Sequence, residues 1–156
     1  MTAFRRVLVL HGPNLNLLGR REPEVYGSLT LEEINERIER AAKELAVEVR
    51  IRQTNLEGEL VEEIQRSATE ADGVVINPGG YSHTSVAIRD AIAAIDLPVI
   101  EVHLSNPQAR EGFRHTDIVG GACRGIIAGL GWRGYALAIG VLVDPEAGAA
   151  SPDAGP

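Results

Sequence analysis

Lysine is nearly absent from this chain: fourteen arginines accompany one lysine, Lys43. Imine chemistry needs a lysine amine, and Lys43 falls in a helix-patterned segment where its side chain is expected to face water. Covalent Schiff-base catalysis is therefore set aside. Cysteine is as scarce. Cys123 alone permits no intramolecular disulfide, which fits a reducing compartment, and no imidazole stands at a telling spacing from it. The apolar run Val7 to His11 is too short for a signal-peptide core or a membrane span, so a soluble cytoplasmic protein is expected. Bases are outnumbered: 15 Lys and Arg against 22 Asp and Glu give a formal net charge of −7. That balance disfavours nucleic acid and anionic membrane surfaces as partners.

Motifs for cofactors and nucleophiles are missing too. There is no Walker loop and no Gly-x-Ser-x-Gly elbow. The first strand-like run does not end in the aspartate of a phospho-acceptor, and no Cys, His or carboxylate cluster has metal-ligand spacing. Gly129-Leu-Gly-Trp-Arg-Gly134 matches the dinucleotide fingerprint formally, but no further strand with an acidic ribose ligand follows it. It is read as a tight strand-to-helix turn. No metal and no cofactor are expected, which leaves general acid–base work by Tyr, His, Arg and Asn.

What is present alternates between strand and helix, the pattern of a parallel sheet covered on both faces. Strand-like runs are Arg6–Leu10, Val47–Arg52 (strictly alternating, as an edge strand would be), Gly73–Ile76, Pro98–Val102 and Ile126–Ala128. Between them, Thr30 and Glu33 have capping-box spacing ahead of Leu31, Ile34, Ile38 and Leu45. Leu60, Val61, Ile64 and Ala68 make a second helical stripe. Thr84 is placed to cap a third helix carrying Ile88, Ala91, Ile92 and Ile95, and a last helix runs from Tyr135 to Val143. Five strands with right-handed crossovers predict an α/β, flavodoxin-like three-layer sandwich with strand order 2-1-3-4-5, the order being a prior of the fold class. Residues 1–145 are read as a single catalytic domain and 146–156, rich in Pro, Gly and Ala, as a disordered tail.

Ligands of open α/β sheets bind beyond the carboxyl ends of the strands. Here those ends carry His11-Gly-Pro-Asn14, Gln53-Thr-Asn55, Asn77 to His83, and His103 to Asn106. The long stretch Gly12 to Ser28 carries Arg20, Arg21 and Tyr26 and has the length of an active-site lid. A second arginine-bearing loop runs from Arg110 to His115. Arginines aimed at one rim of an acidic protein point to an anionic ligand such as a carboxylate, although Arg20 and Arg110 are equally well read as surface ion-pair partners of nearby glutamates. On residues alone, an anion-binding module and an oligomer-building protein remain open beside an enzyme. Neither has a use for a lid phenol beside an arginine.

Four segments in order, Gly12-Pro-Asn-Leu-Asn-Leu-Leu-Gly19, Arg21-Glu-Pro-Glu-Val-Tyr-Gly27, Asn77-Pro-Gly-Gly-Tyr-Ser-His-Thr-Ser-Val-Ala87 and Glu101-Val-His-Leu-Ser-Asn106, resemble the signatures of the type II 3-dehydroquinate dehydratases. The likeness runs from about Val7 to Val143. It implies a lyase of the shikimate pathway that removes water from 3-dehydroquinate by anti elimination through an enolate, giving 3-dehydroshikimate, without metal or Schiff base. By that resemblance Tyr26 is the base that takes the C2 proton. Because a phenol ordinarily titrates near about 10, its phenolate needs a neighbouring cation, and Arg21, helped by Arg114, is assigned that part. His103 resembles the general acid, Glu101 its orienting partner, and Asn14 a group that helps stabilise the enolate oxygen. Asn77, Leu104 and Ser105 are expected to hold the substrate carboxylate, and His83, Asp90 and Arg114 the ring hydroxyls. The family implies a homododecamer built of trimers, with the aspartate supplied by a neighbouring subunit. Pro107-Gln108, Gly112, Ala94 and Leu56 depart from common family residues without touching the assigned chemistry.

Overall fold

The computed structural model describes residues 5–144; the predicted tail, 146–156, lies outside them. The chain runs β1 (Arg5–His11), α1 (Pro23–Tyr26), α2 (Leu31–Glu44), β2 (Val47–Gln53), α3 (Glu57–Glu70), β3 (Gly73–Asn77), α4 (Val86–Ala93), β4 (Val99–His103), β5 (Gly125–Ala128) and α5 (Arg133–Val143), with several short 3₁₀ turns. All four pairings are parallel and the sheet order is β2-β1-β3-β4-β5. The flavodoxin-like three-layer expectation is met, with β2 at one edge as its alternation predicts.

Strand parity decides what each face buries. Val7 and Val9 of β1, Val75 of β3, and Ile100 and Val102 of β4 pack with Ile34, Ile38 and Ala42 of α2 and Ala138, Ile139 and Leu142 of α5. The opposite parity, Leu8, Leu10, Val74, Ile76 and Val99, packs with Leu60 and Ile64 of α3 and Ile88, Ala91 and Ile92 of α4. Every residue of β3 and β4 is buried, as a strand covered on both faces must be. Each fully buried Ile or Leu contributes roughly 1.5–3 kcal/mol, so this double layer holds the strand ends rigidly beneath the site.

The capping box of α2 forms: the Thr30 amide donates to Glu33 (2.8 Å) and the Glu33 amide to the Thr30 hydroxyl (3.2 Å). Four details differ from the sequence expectation. Leu45 follows the last turn of α2 and is exposed, so Ala42 completes that stripe. Ala68 is exposed and Ser67 buried in its place, its hydroxyl bonded back to the Ile64 carbonyl (2.5 Å). Ser85 caps α4 rather than Thr84, accepting from the Ile88 amide at 3.0 Å. The stretch from Gly12 to Ser28 is not without structure, since a 3₁₀ turn at Leu15–Leu17 and α1 lie within it. After β5 the chain turns through Gly129–Trp132 directly into α5, as predicted.

Candidate active site

The carboxyl ends of β1, β3 and β4 open into one cleft, roofed by the segment carrying α1 and by the loop after β4. Asn14, Asn77, His83, His103, Leu104 and Ser105 line it from the sheet side, and Arg21, Tyr26 and Arg114 from the covering loops. These nine are all residues singled out in the sequence. Glu101 lies behind His103, and Asp90 lies elsewhere: its side chain is 69% exposed on α4, 4.0 Å from Arg89.

Close backbone packing builds the β1 rim. The Gly12 amide donates to the Asn77 carbonyl (2.8 Å), and a Cβ on Gly12 would sit 2.7 Å from the Pro78 carbonyl oxygen, so only glycine fits. The chain then places Asn14 in the left-handed region (φ 69°), one of the few side chains that tolerates it. The Asn55 carboxamide accepts from the Asn14 amide (3.0 Å), so Asn55 supports the rim rather than lining the cleft.

His11 is not at the rim either. Its parity with Val7 and Val9 turns it inward, fully buried, with Nε2 donating to Asn35 (2.8 Å) and Nδ1 bonded to the Tyr135 hydroxyl (3.0 Å). Burial pushes its pKa down to about 4. A neutral ring with Nε2–H toward Asn35 accepts at Nδ1, so Tyr135 donates to it and receives the Asn77 carboxamide N–H (3.0 Å). The other end of the Asn77 carboxamide accepts from the Gly79 amide (3.1 Å). Asn77 is thereby fixed in one orientation at the floor of the cleft.

Tyr26 carries two arginines. Arg110 donates to its hydroxyl (2.7 Å) with the guanidinium carbon 4.9 Å from the ring centroid, and Arg21 lies 5.0 Å from the same centroid. Arg110 lines the cleft with only 12% of its side chain exposed. Its carbonyl accepts from His115 Nε2 (2.9 Å), which ties the loop back on itself. Arg114, assigned with Arg21 to the phenol, instead pairs with Glu111 (2.6 Å) while still lining the cleft. Arg110 is thus the second arginine of Tyr26, a part the sequence left undecided.

His103 and Glu101 share one side of β4, being two residues apart, and His103 Nε2 donates to the Glu101 carboxylate at 2.8 Å. Asp117 approaches the same nitrogen to 3.9 Å. Burial pushes the Glu101 carboxyl up to about 7. Burial opposes the His103 cation, but the carboxyls of Asp117 and Glu101 together outweigh it and raise His103 to about 9. Asp117, despite partial burial, is held down to about 2 by His103. Cys123 nearby is pushed up to about 12 by burial and by the two carboxylates, which makes it an inert thiol. His83 Nδ1 donates to the Thr116 carbonyl (2.8 Å), and the Ser82 hydroxyl lies 3.5 Å from Nε2.

Among the described residues, folding creates one grouping of metal-ligand type that linear spacing did not reveal. Ligand atoms of Glu101, His103 and Asp117 lie within 4.8 Å of one another. The two carboxyls around the imidazole favour its protonated form, the form a general acid needs. The arrangement as a whole sets a cation-flanked phenol and an acid-backed imidazolium around one anion-accepting cleft. Such a pair can remove one proton and deliver another.

The family model described as Dehydroquinase class II matches residues 5–143. A 3-dehydroquinate dehydratase of Pelotomaculum thermopropionicum is 55% identical over 134 residues, which cover 86% of this chain and 93% of the relative. One from Roseiflexus castenholzii is 54% identical over 134 residues, 86% of this chain and 85% of its own. Among solved structures, the type II dehydroquinase of Butyrivibrio crossotus superposes with a TM-score of 0.89 at 43% identity, over 90% of this chain and 99% of that one. The type II dehydroquinase of Propionibacterium acnes gives 0.87 at 43% identity, over 92% and 99%.

Proposed function

This chain belongs to the class II dehydroquinase family, and from that premise we propose how its own residues carry out the reaction. The protein is a 3-dehydroquinate dehydratase, a hydro-lyase that forms 3-dehydroshikimate in the shikimate pathway. The observation that carries the mechanism is the pairing, around one cleft, of Tyr26 under Arg110 and Arg21 with His103 backed by Glu101.

Tyr26, as phenolate, takes the C2 proton, and the C–H electrons pass into an enolate. Arg110 and Arg21 stabilise the phenolate charge by hydrogen bond and by proximity. Asn14 helps stabilise the enolate oxygen. As the enolate collapses, the carbon–oxygen bond of the leaving hydroxyl breaks and His103 supplies its proton, so water departs and the imidazole is left neutral. Nε2 is engaged by Glu101, which leaves Nδ1 as the donor to the substrate. Removal and delivery of the two protons by separate groups allows the anti course. Each is worth roughly 10²–10⁴ in rate.

Asn77, the Leu104–Ser105 backbone and the Ser105 hydroxyl receive the carboxylate, and His83 and Arg114 the ring hydroxyls. Asp90 supports the dodecamer of trimers: exposed on α4 and away from its own cleft, it is free to complete a neighbouring subunit's site. No metal is needed, because the charge is handled by arginines and by His103. No Schiff base is needed either, since Lys43 is exposed on α2 and does not line the cleft. Residues 1–145 act as one catalytic domain in the cytoplasm. Among the described residues no helix is long and apolar enough to cross a membrane.

The test is ultraviolet absorbance of purified protein with 3-dehydroquinate and excess chelator. Growth of the conjugated enone despite chelation is expected. No growth, with the substrate still shown to bind, would leave an anion-binding module.

A further inference from the structure

His103 has two carboxyls behind it, and the mechanism above uses only one. Asp117 arrives from the segment between β4 and β5, fourteen residues beyond His103, and its seat is built by the backbone. Its Oδ1 accepts from the Gly120 amide at 2.8 Å. A Cβ on Gly120 would lie 2.7 Å from Asp117 Oδ2 and 2.5 Å from the Ile126 side chain, so the glycine lets the carboxylate in. A simple turn would need only Oδ1. The second oxygen instead stands 3.9 Å from His103 Nε2.

Glu101 supplies the complementary observation. It is fully buried, one oxygen receives His103, and the other, Oε1, has no hydrogen-bond partner. A bare carboxylate oxygen in that position is costly. A proton on Glu101, donated toward Asp117, satisfies it.

We propose that Asp117 is a positioning residue of the dehydration: with Glu101 it forms a carboxyl–carboxylate pair that shares one proton and holds His103 as the imidazolium. The inference rests on the general-acid role given to His103. The groups facing that imidazole are Glu101 on its own strand, Asp117 from the β4–β5 segment, and, around the cleft, His83, Tyr26 and the guanidiniums of Arg21, Arg110 and Arg114, while Cys123 lies beside the two carboxyls. The two carboxyls stand nearest the ring and favour its cation, and they set the pH above which the acid is lost.

Asp117→Asn removes the charge and keeps the oxygen that receives the Gly120 amide. The ring resonances of His103 are titrated by NMR in the wild type and the variant, and kcat and KM are followed against pH. The His103 titration is expected to fall by about one unit on loss of an opposite charge at this distance. The alkaline limb of kcat should fall with it, with KM little altered. A His103 titration that stays in place overturns the proposal, and so does a drop in kcat that is equal at every pH. Asp117→Ser, whose hydroxyl also caps the Gly120 amide, gives the same reading should the first variant fail to fold. Titration is independent of turnover. A protein whose His103 responds to Asp117 but which leaves 3-dehydroquinate unchanged refutes the dehydratase mechanism and not the carboxyl pair.

Discussion

Arg110 and Tyr26, 84 residues apart in sequence, are joined by a 2.7 Å hydrogen bond across the roof of the cleft. The bond links the loop after β4 to the segment bearing α1, so one contact both closes the roof and sets a cation on the phenol. Arg110→Met should lower kcat at least ~10-fold, with a smaller loss for Arg110→Lys, which keeps a point charge but not the planar fork. Steady-state kinetics of the two variants decide it: an unchanged kcat in Arg110→Met would remove this arginine from the mechanism.

Tyr26→Phe leaves the ring between its arginines and deletes only the hydroxyl. Turnover should fall by at least ~100-fold while substrate affinity is largely kept. Calorimetric binding alongside the rate assay separates the two, and near-normal turnover would disprove Tyr26 as the base.

Borohydride added with substrate should leave the protein mass unchanged by mass spectrometry. Lys43 is exposed on α2, away from the cleft, so no imine is available to trap. A stable adduct would reverse the argument.

The buried His11 should make the fold acid-sensitive. Burial lowers its value from 6.5 to about 4, so the unfolded chain takes up a proton that the folded one refuses. The stability at stake is present above pH 6.5 and is lost as the pH falls toward 4, about 3 kcal/mol in all. Glu101 acts in the opposite sense, because a carboxyl raised from 4.5 to about 7 binds its proton more readily in the folded state. The difference between wild type and His11→Gln therefore isolates the imidazole. Urea midpoints between pH 7 and 4.5 should converge as the pH falls, and a constant gap would show that His11 is not responsible.

Much of this was written in periodicity. The alternation in Val47–Arg52, the continuous run Gly73–Ile76 and the Thr30–Glu33 cap each appear where local pattern puts them. The family resemblance supplied nine residues of the cleft: six lie at or beyond strand ends whose positions the sheet dictates, and Arg21, Tyr26 and Arg114 come from the covering loops. Asp117 and the part played by Arg110 were not legible. Both belong to the irregular stretch between β4 and β5, where 3₁₀ turns have no repeating face and placement depends on tertiary contacts. His11 was misplaced for a different reason. Its type suggested a rim imidazole, while its even spacing from Val7 and Val9 already pointed inward.

Asn14, Asn77 and His103 hang from three parallel strands, β1, β3 and β4, each joined to the next only through a crossover. Parallel neighbours meet late, since every pairing must first close a long loop. During refolding from denaturant, helix content should therefore recover before catalysis does, because the three side chains meet only once β1, β3 and β4 are all paired. Function in this chain arrives with the last of these three strands to dock.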